Sequence, residues 1–402
     1  VPVSKFVQQA GWPKGINNKA NWRDMPDGFV RDTVNLDPLE SGSMALRPGF
    51  DKRYAGTSVR GALAVGTHVL LADGSTLAVH DTTTNATMSL ATIAGAGLFV
   101  GAVLNEELFF CTENETLRYK AGVLRPWGVP TVTAQPVPTL VAGALLAGVY
   151  QLAMTWVDAY GDEGATTQAV NIAVGVGQAL AVTLPAMTGH TPRLYISAVN
   201  GSTLYLQAEG AGAYKANAVD DSTSRLETMH HRAPTPGSAV VSHNGVIATA
   251  DGSTLWVTNP MRPHLVDRAT RFFQFPAPVN MVASASGGLY VGADKVYFIA
   301  GVETAEPEQT TVSEYPAVSG TAALLPDGRV VWMTAYGIAA SGPRGTAELL
   351  SAANFVPELA LSGGSGIVQN NGNQTVVTTM RGGKGPNPLA ASDYYEAEII
   401  TP

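Results

Sequence analysis

The sequence predicts an all-β protein: a β-propeller of about six blades with an inserted immunoglobulin- or fibronectin-III-like β-sandwich and an extended N-terminal arm. Three observations predict it. The hexapeptide Ala72-Asp73-Gly74-Ser75-Thr76-Leu77 returns letter for letter at residues 250–255. In each copy apolar residues flank an Asp-Gly pair suited to the positive φ values of a type I′ turn, so each copy encodes a hairpin. Related hairpins read at 107–119, 288–299 and 324–333, and from residue 245 onward their starts lie about 43 and then about 36 residues apart, close to the length of a propeller blade. The third observation is composition. The 43 glycines and 25 prolines are about one residue in six, while charged residues are only 14%, against roughly a quarter in ordinary soluble domains. Such a chain is rich in turns and poor in salt-bridged helical surface.

Residues 1–58 read as the arm. Gly11-Trp12-Pro13-Lys14-Gly15, Met25-Pro26-Asp27-Gly28 and Arg47-Pro48-Gly49-Phe50 bring turn chemistry every few residues, and no helical period survives. Trp12, Trp22, Phe29 and Phe50 need a surface to bury against, so the arm is an extended strap on its own domain or on a neighbour's. Trp12, Trp22, Arg31, Arg47 and Phe50 are its candidate assembly residues. The strap is also basic: residues 1–60 carry nine Lys/Arg and six acids, whereas the whole chain has a net charge of -8. The first part of the propeller spans 59–130. Arg125-Pro126-Trp127-Gly128-Val129-Pro130 then forms a rigid linker into the inserted sandwich at 131–228, with strands expected at 148–158, 168–174, 179–184, 193–199 and 204–209. The second part of the propeller spans 229–402. Setting aside arm and insert leaves about 41 residues per blade for six blades.

Several classes of function are excluded or lack their signatures. One cysteine, Cys111, cannot form an internal disulfide or a cysteine-based zinc site. The longest apolar run, 140–153, is interrupted by Gly143, Gly148, Tyr150 and Gln151 and is too short to span a bilayer. Val1-Pro2-Val3-Ser4-Lys5 contains no apolar signal core, which predicts synthesis in the cytosol. An acidic chain argues against sequence-specific DNA binding, which needs phosphate-neutralising Lys/Arg patches. HExxH, GxSxG and the phosphate-binding GxxxxGK[ST] are absent. His230-His231 reads as a polar linker, because adjacent residues on a strand point to opposite faces. Asp158, Asp162, Glu163, Asp220 and Asp221 read as turn carboxylates without calcium-loop spacing. Glu303, Glu306, Glu308 and Asp327 read as solvated turn residues rather than a glycosidase pair. Gly382-Gly383-Lys384-Gly385 reads as a flexible loop. No catalytic, cofactor-binding or metal-binding residue is predicted.

The segments Gly15-Ile16-Asn17-Asn18, Arg31-Asp32-Thr33-Val34-Asn35-Leu36-Asp37 and Leu46-Arg47-Pro48-Gly49-Phe50 resemble a widespread family of phage and prophage virion proteins. The resemblance continues at 124–130, 150–158, Ser313-Glu314-Tyr315-Pro316 and 331–338, and so covers most of the chain in order. It implies a non-enzymatic structural component of the tail of a short-tailed phage, similar to the β-propeller hub or nozzle subunits. The implied partners are further copies of itself in a homohexameric ring, the adaptor and portal, other tail proteins, and double-stranded DNA that passes through the lumen without sequence-specific binding. The implied location is the virion tail, after synthesis in the host cytoplasm. A carbohydrate-binding or hydrolysing β-propeller adhesin is the alternative.

Overall fold

Short apolar-alternating runs separated by tight turns favour strands over helices. The computed structural model describes residues 11–21, 24–34, 36–38, 43–46, 49, 51–94, 97, 99–370 and 373–391, and it is an all-β chain of small antiparallel sheets. No helix among these residues is long and apolar enough to cross a membrane. The chain divides into two compact units, 56–275 and a second made of 1–55 with 276–402.

In the 56–275 unit three four-stranded sheets run as simple meanders. The first contains Val59–Val65, His68–Asp73, Thr76–Asp81 and Ala86–Thr92. The second contains Val100–Leu104, Glu107–Cys111, Thr116–Lys120 and Val123–Pro126; the third, Ala239–His243, Val246–Asp251, Thr254–Val257 and Phe272–Gln274. The repeated hexapeptide forms the same hairpin twice, with Ala72 opposite Leu77 and Ala250 opposite Leu255. Gly74 and Gly252 both hold φ at 58°, the left-handed value that the turn requires.

The run Leu108-Phe109-Phe110-Cys111 shows why these strands are apolar on consecutive positions. Successive side chains of a strand point to opposite faces. Leu108 and Phe110 pack with Leu70, Leu77 and Val79 of the first sheet, while Phe109 and Cys111 pack with Trp127 and with Ile247 of the third. The middle sheet is therefore covered on both faces. Burial also pushes the Cys111 thiol up to about 12, which leaves it an inert core residue.

Between the second and third meanders lies the insert, a two-sheet sandwich. Thr139–Ala142, Gln178–Leu184 and Gly212–Ala216 form one sheet, and Val170–Val174, Gly148–Asp158, His190–Ser197 and Leu204–Glu209 the other. Tyr150, Leu152, Met154 and Trp156 from one sheet and Leu180, Val182 and Leu184 from the other share a single core. The strand expected at 148–158 has those bounds, whereas Thr139–Ala142 and Gly212–Ala216 had no counterpart in the expected set.

In the other unit two further meanders follow: Met281–Ala285 through Glu308–Ser313, and Ala323–Leu324 through Ala347–Leu349. They share a core in which Tyr290, Phe298 and Trp332 pack together. A sixth four-stranded meander is not found among the described residues. In its place Ala360–Asn370 and Asn373–Gly383 form a long two-stranded hairpin, whose Val376 packs on Val331 and Ala340. Gly382 and Gly383 end that hairpin instead of forming a loop. The arm, too, is less irregular than its turn signals imply: Ile16 bridges Val30, and Leu36–Pro38 pairs with Met44–Leu46.

Candidate functional site

Two constellations stand out, an ion-paired one in the 56–275 unit and an asparagine clasp in the other. The charged one begins with Arg118, on the third strand of the second meander. Its side chain is only 3% exposed. Nε donates to the Pro126 carbonyl at 3.1 Å, and Nη2 reaches Asp162 at 2.5 Å and Asp158 at 3.3 Å. Arg125, three residues beyond the Ala121-Gly122 turn, donates to Glu107 at 2.9 Å and lies over the Tyr160 ring at 3.9 Å. The strand pairing that places Arg125 opposite Arg118 brings two like charges together, and the carboxylates of Glu107, Asp158 and Asp162 offset them. The Asp158–Glu163 turn of the sandwich is thus fastened to the second meander by ion pairs, and its carboxylates already have partners. His264 approaches Asp162 at 3.4 Å. Burial lowers the pKa of its ring, against the pull of Asp162 and with that of Arg118, so the imidazole is neutral at neutral pH.

Next to this node a cleft opens along Glu163, Arg193, Arg225, Glu227, Thr228 and Arg262, with adjoining volumes of about 190 and 430 Å³. Glu163 is well partnered: it accepts from Thr155 and Tyr195 at 2.6 Å each and from Arg193 at 3.1 Å. Burial, and then the bond to Glu163, raise the Tyr195 hydroxyl's pKa, so that it stays a donor. Arg193 also pairs with Glu209, and Arg262 pairs with Glu227 at 2.5 Å. Arg225 has only the face of Tyr205, 6.0 Å from the ring centre, and no carboxylate among the described residues. Thr228 is 3% exposed and its hydroxyl has no hydrogen-bond partner.

A clasp built on asparagines, with no ion pair among the bonds described, holds the arm. Asn18 and Val356 exchange two bonds, Nδ2 donating to the Val356 carbonyl at 2.7 Å and Oδ1 accepting from its amide at 3.0 Å. The Asn18 backbone donates to Asn354 and accepts from Ala391. Asn17 folds its Oδ1 onto the amides of Lys19 and Ala20, Lys19 Nζ donates to Ala352, and Arg31 Nη2 donates to Ala391 at 2.9 Å. Asn387, 5% exposed, bonds the carbonyls of Ala335 and Pro357 and the amide of Leu389. The strap over these residues therefore lies on the C-terminal part of its own chain.

Of the five arm residues singled out from the sequence, Trp12 is half-buried and Arg31 takes part in the clasp. Trp22, Arg47 and Phe50 lie outside the described residues. His231 sits on a two-residue strand and bonds Met229, and among the described residues no three His, Cys, Asp or Glu side chains group as metal ligands. Asp220 is an Asx-type turn residue whose carboxylate accepts from Ser222. Glu306 and Glu308 are exposed, and Asp327 clasps Arg329 across a turn. Arg118, Thr228 and Asn387 carried no local signal; only alternation marks Arg118 as a polar residue in an apolar strand.

No protein family's profile matches the sequence, and no curated protein does. Among solved structures, BBS1N in complex with ARL6DN is 10% identical with a TM-score of 0.34, over 83% of this chain and 94% of that one. The extracellular domain of a putative hybrid two-component system from B. thetaiotaomicron is 12% identical with a TM-score of 0.29, over 73% of this chain and 33% of that one. PorZ of Porphyromonas gingivalis is 14% identical with a TM-score of 0.23, over 87% and 54%. The chain thus spans about a third and about half the length of these last two proteins. At such TM-scores the likenesses assign neither a fold nor a function to this chain.

Proposed function

We propose that this protein is a structural component of a phage tail, a propeller-type hub or nozzle subunit that forms a ring below the portal and adaptor. One observation carries the reading. The stretches that resemble the virion family are occupied with holding the fold. Asn17, Asn18 and Arg31 fasten the arm. Trp127 is fully buried and donates to Pro263, and the Tyr150–Trp156 strand fills the sandwich core. Such residues suit a rigid building block. The face-to-face packing of successive four-stranded meanders supports their reading as blades. In a ring, a low-charge exterior permits the heterologous contacts that close it, and the acidic body would repel DNA phosphates so that the duplex slides.

The test is mass spectrometry of gradient-purified particles from the phage or induced lysogen, with this protein counted against the portal. About half the portal's copy number is expected for a six-fold ring under a twelve-fold portal. Absence from particles overturns the reading. Deletion of residues 1–50 is expected to abolish incorporation into the tail, and unchanged assembly would remove the arm from the proposal.

A further inference from the structure

We infer that the cleft lined by Arg193, Arg225, Glu227, Thr228 and Arg262 binds an acidic saccharide, a sugar that presents a carboxylate among its hydroxyls. An exposed cation without a carboxylate partner and one buried, unmet hydroxyl point to a ligand. Arg225 lines both parts of the cleft with its charge balanced by no carboxylate among the described residues. The Thr228 hydroxyl is buried at the smaller part without a partner, a state that buried polar groups seldom keep.

The remaining lining selects the class. Glu163 is committed internally, its Oε1 to Thr155 and Tyr195 and its Oε2 to Arg193, which leaves it little to offer toward a guest. Glu227 is 63% exposed, pairs with Arg262 and no other cation among the described residues, and can accept further hydrogen bonds. The cleft thus offers both cationic donors and an anionic acceptor. Inorganic phosphate is an acceptor-rich dianion that would meet Glu227 and Glu163 with repulsion. A neutral sugar would leave Arg225 uncompensated. A sugar acid uses both kinds of group: its carboxylate sits against Arg225 and Arg262, where charge-assisted bonds are the strong ones, and its hydroxyls donate to Glu227 and bond Thr228. The larger volume, about 430 Å³, lies within the range of small-ligand sites. This inference is independent of the tail reading, since a saccharide can be held by a ring subunit or by an adhesin.

The full-length chain is titrated by calorimetry and ligand-observed NMR with glucuronate, galacturonate and N-acetylneuraminate, alongside glucose and inorganic phosphate. At least one sugar acid is expected to bind, with glucose and phosphate weaker by about ten-fold or more. Arg225→Gln, at an exposed position that leaves folding unaffected, and Thr228→Val, which keeps the side-chain shape, are each expected to weaken it by about ten-fold. Arg53→Gln, at an exposed arginine of the other unit, leaves binding unchanged. The inference is overturned if none of the three sugar acids binds. It is equally overturned if glucose or phosphate binds as tightly, or if both cleft variants bind as the parent does.

Discussion

The two fasteners of this molecule solve one problem with opposite chemistry. In the 56–275 unit, Arg118 is buried among carboxylates and ties the sandwich turn to a meander through charges. In the other unit, Asn18 and Asn387 tie remote segments through neutral amides. A charged fastener draws its strength from low dielectric and collapses into an uncompensated buried charge when one partner is removed. An amide fastener costs less to desolvate and loses less when broken. The difference also fixes which one senses pH: the Asn bonds contain no titratable group, while the charged node has His264 at its edge.

Breaking the charged fastener should have the largest effect. Arg118→Met is expected to cost about 3 kcal/mol, because Asp158 and Asp162 are left with Arg125 as their one cationic partner among the described residues. Urea unfolding followed by tryptophan fluorescence measures it, and a loss within experimental error would show that the ion pairs contribute nothing net. On the other side, Asn18→Ala or Asn387→Ala should cost about 1 to 3 kcal/mol in the same assay, since each strands buried backbone groups. Limited proteolysis sharpens that comparison. Asn18→Ala should release the arm to cleavage before residue 34 while Arg118→Met leaves it protected.

A smaller effect isolates the repeated hairpin. Gly74→Ala and Gly252→Ala put a side chain on the same positive φ with open space around the new Cβ, so each should cost about 1 kcal/mol. Unequal costs would mean that the surroundings, not the turn, set the penalty. The smallest effect is the pH response. The folded pKa of His264 lies below its ordinary 6.5, so the unfolded chain binds the extra proton first as pH falls. Stability should therefore decline as pH drops below about 6.5 towards the depressed folded value, and His264→Phe should flatten that slope. Asn18→Ala should shift the whole profile without changing this slope.

Much of the architecture was legible because it is written locally. The Asp73-Gly74 and Asp251-Gly252 turns, the alternating 148–158 strand and the both-faces-apolar run from Leu108 need only residues close in sequence to declare themselves. Thr139–Ala142 and Gly212–Ala216 were missed because they are only four and five residues long and largely exposed, and their register is set by Gln178–Leu184 between them. The count of four-stranded meanders failed at its end for a similar reason. Residues 360–383 are as strand-prone as the others, yet Ala360–Asn370 pairs with Asn373–Gly383 from Ala360 opposite Gly383 to Asn370 opposite Asn373, so they spend their strand length on one long hairpin. For the cleft, the arginines were visible as residues but their convergence was not: Arg193, Arg225 and Arg262 come from separate segments, and nothing in the neighbourhood of Thr228 signals burial.

The sequence by itself determined the strand-and-turn grammar of this protein: β-propensity, Asp-Gly turns and alternation act over a few residues and need no partner to be specified. Tertiary structure alone decided where isolated polar residues are spent. The Asn18–Val356 pair spans 338 positions, and the carboxylates that neutralise Arg118 include two from the inserted sandwich. Such pairings are chosen by which buried donors and acceptors the packed strands leave facing one another, a quantity that exists only once the sheets have stacked.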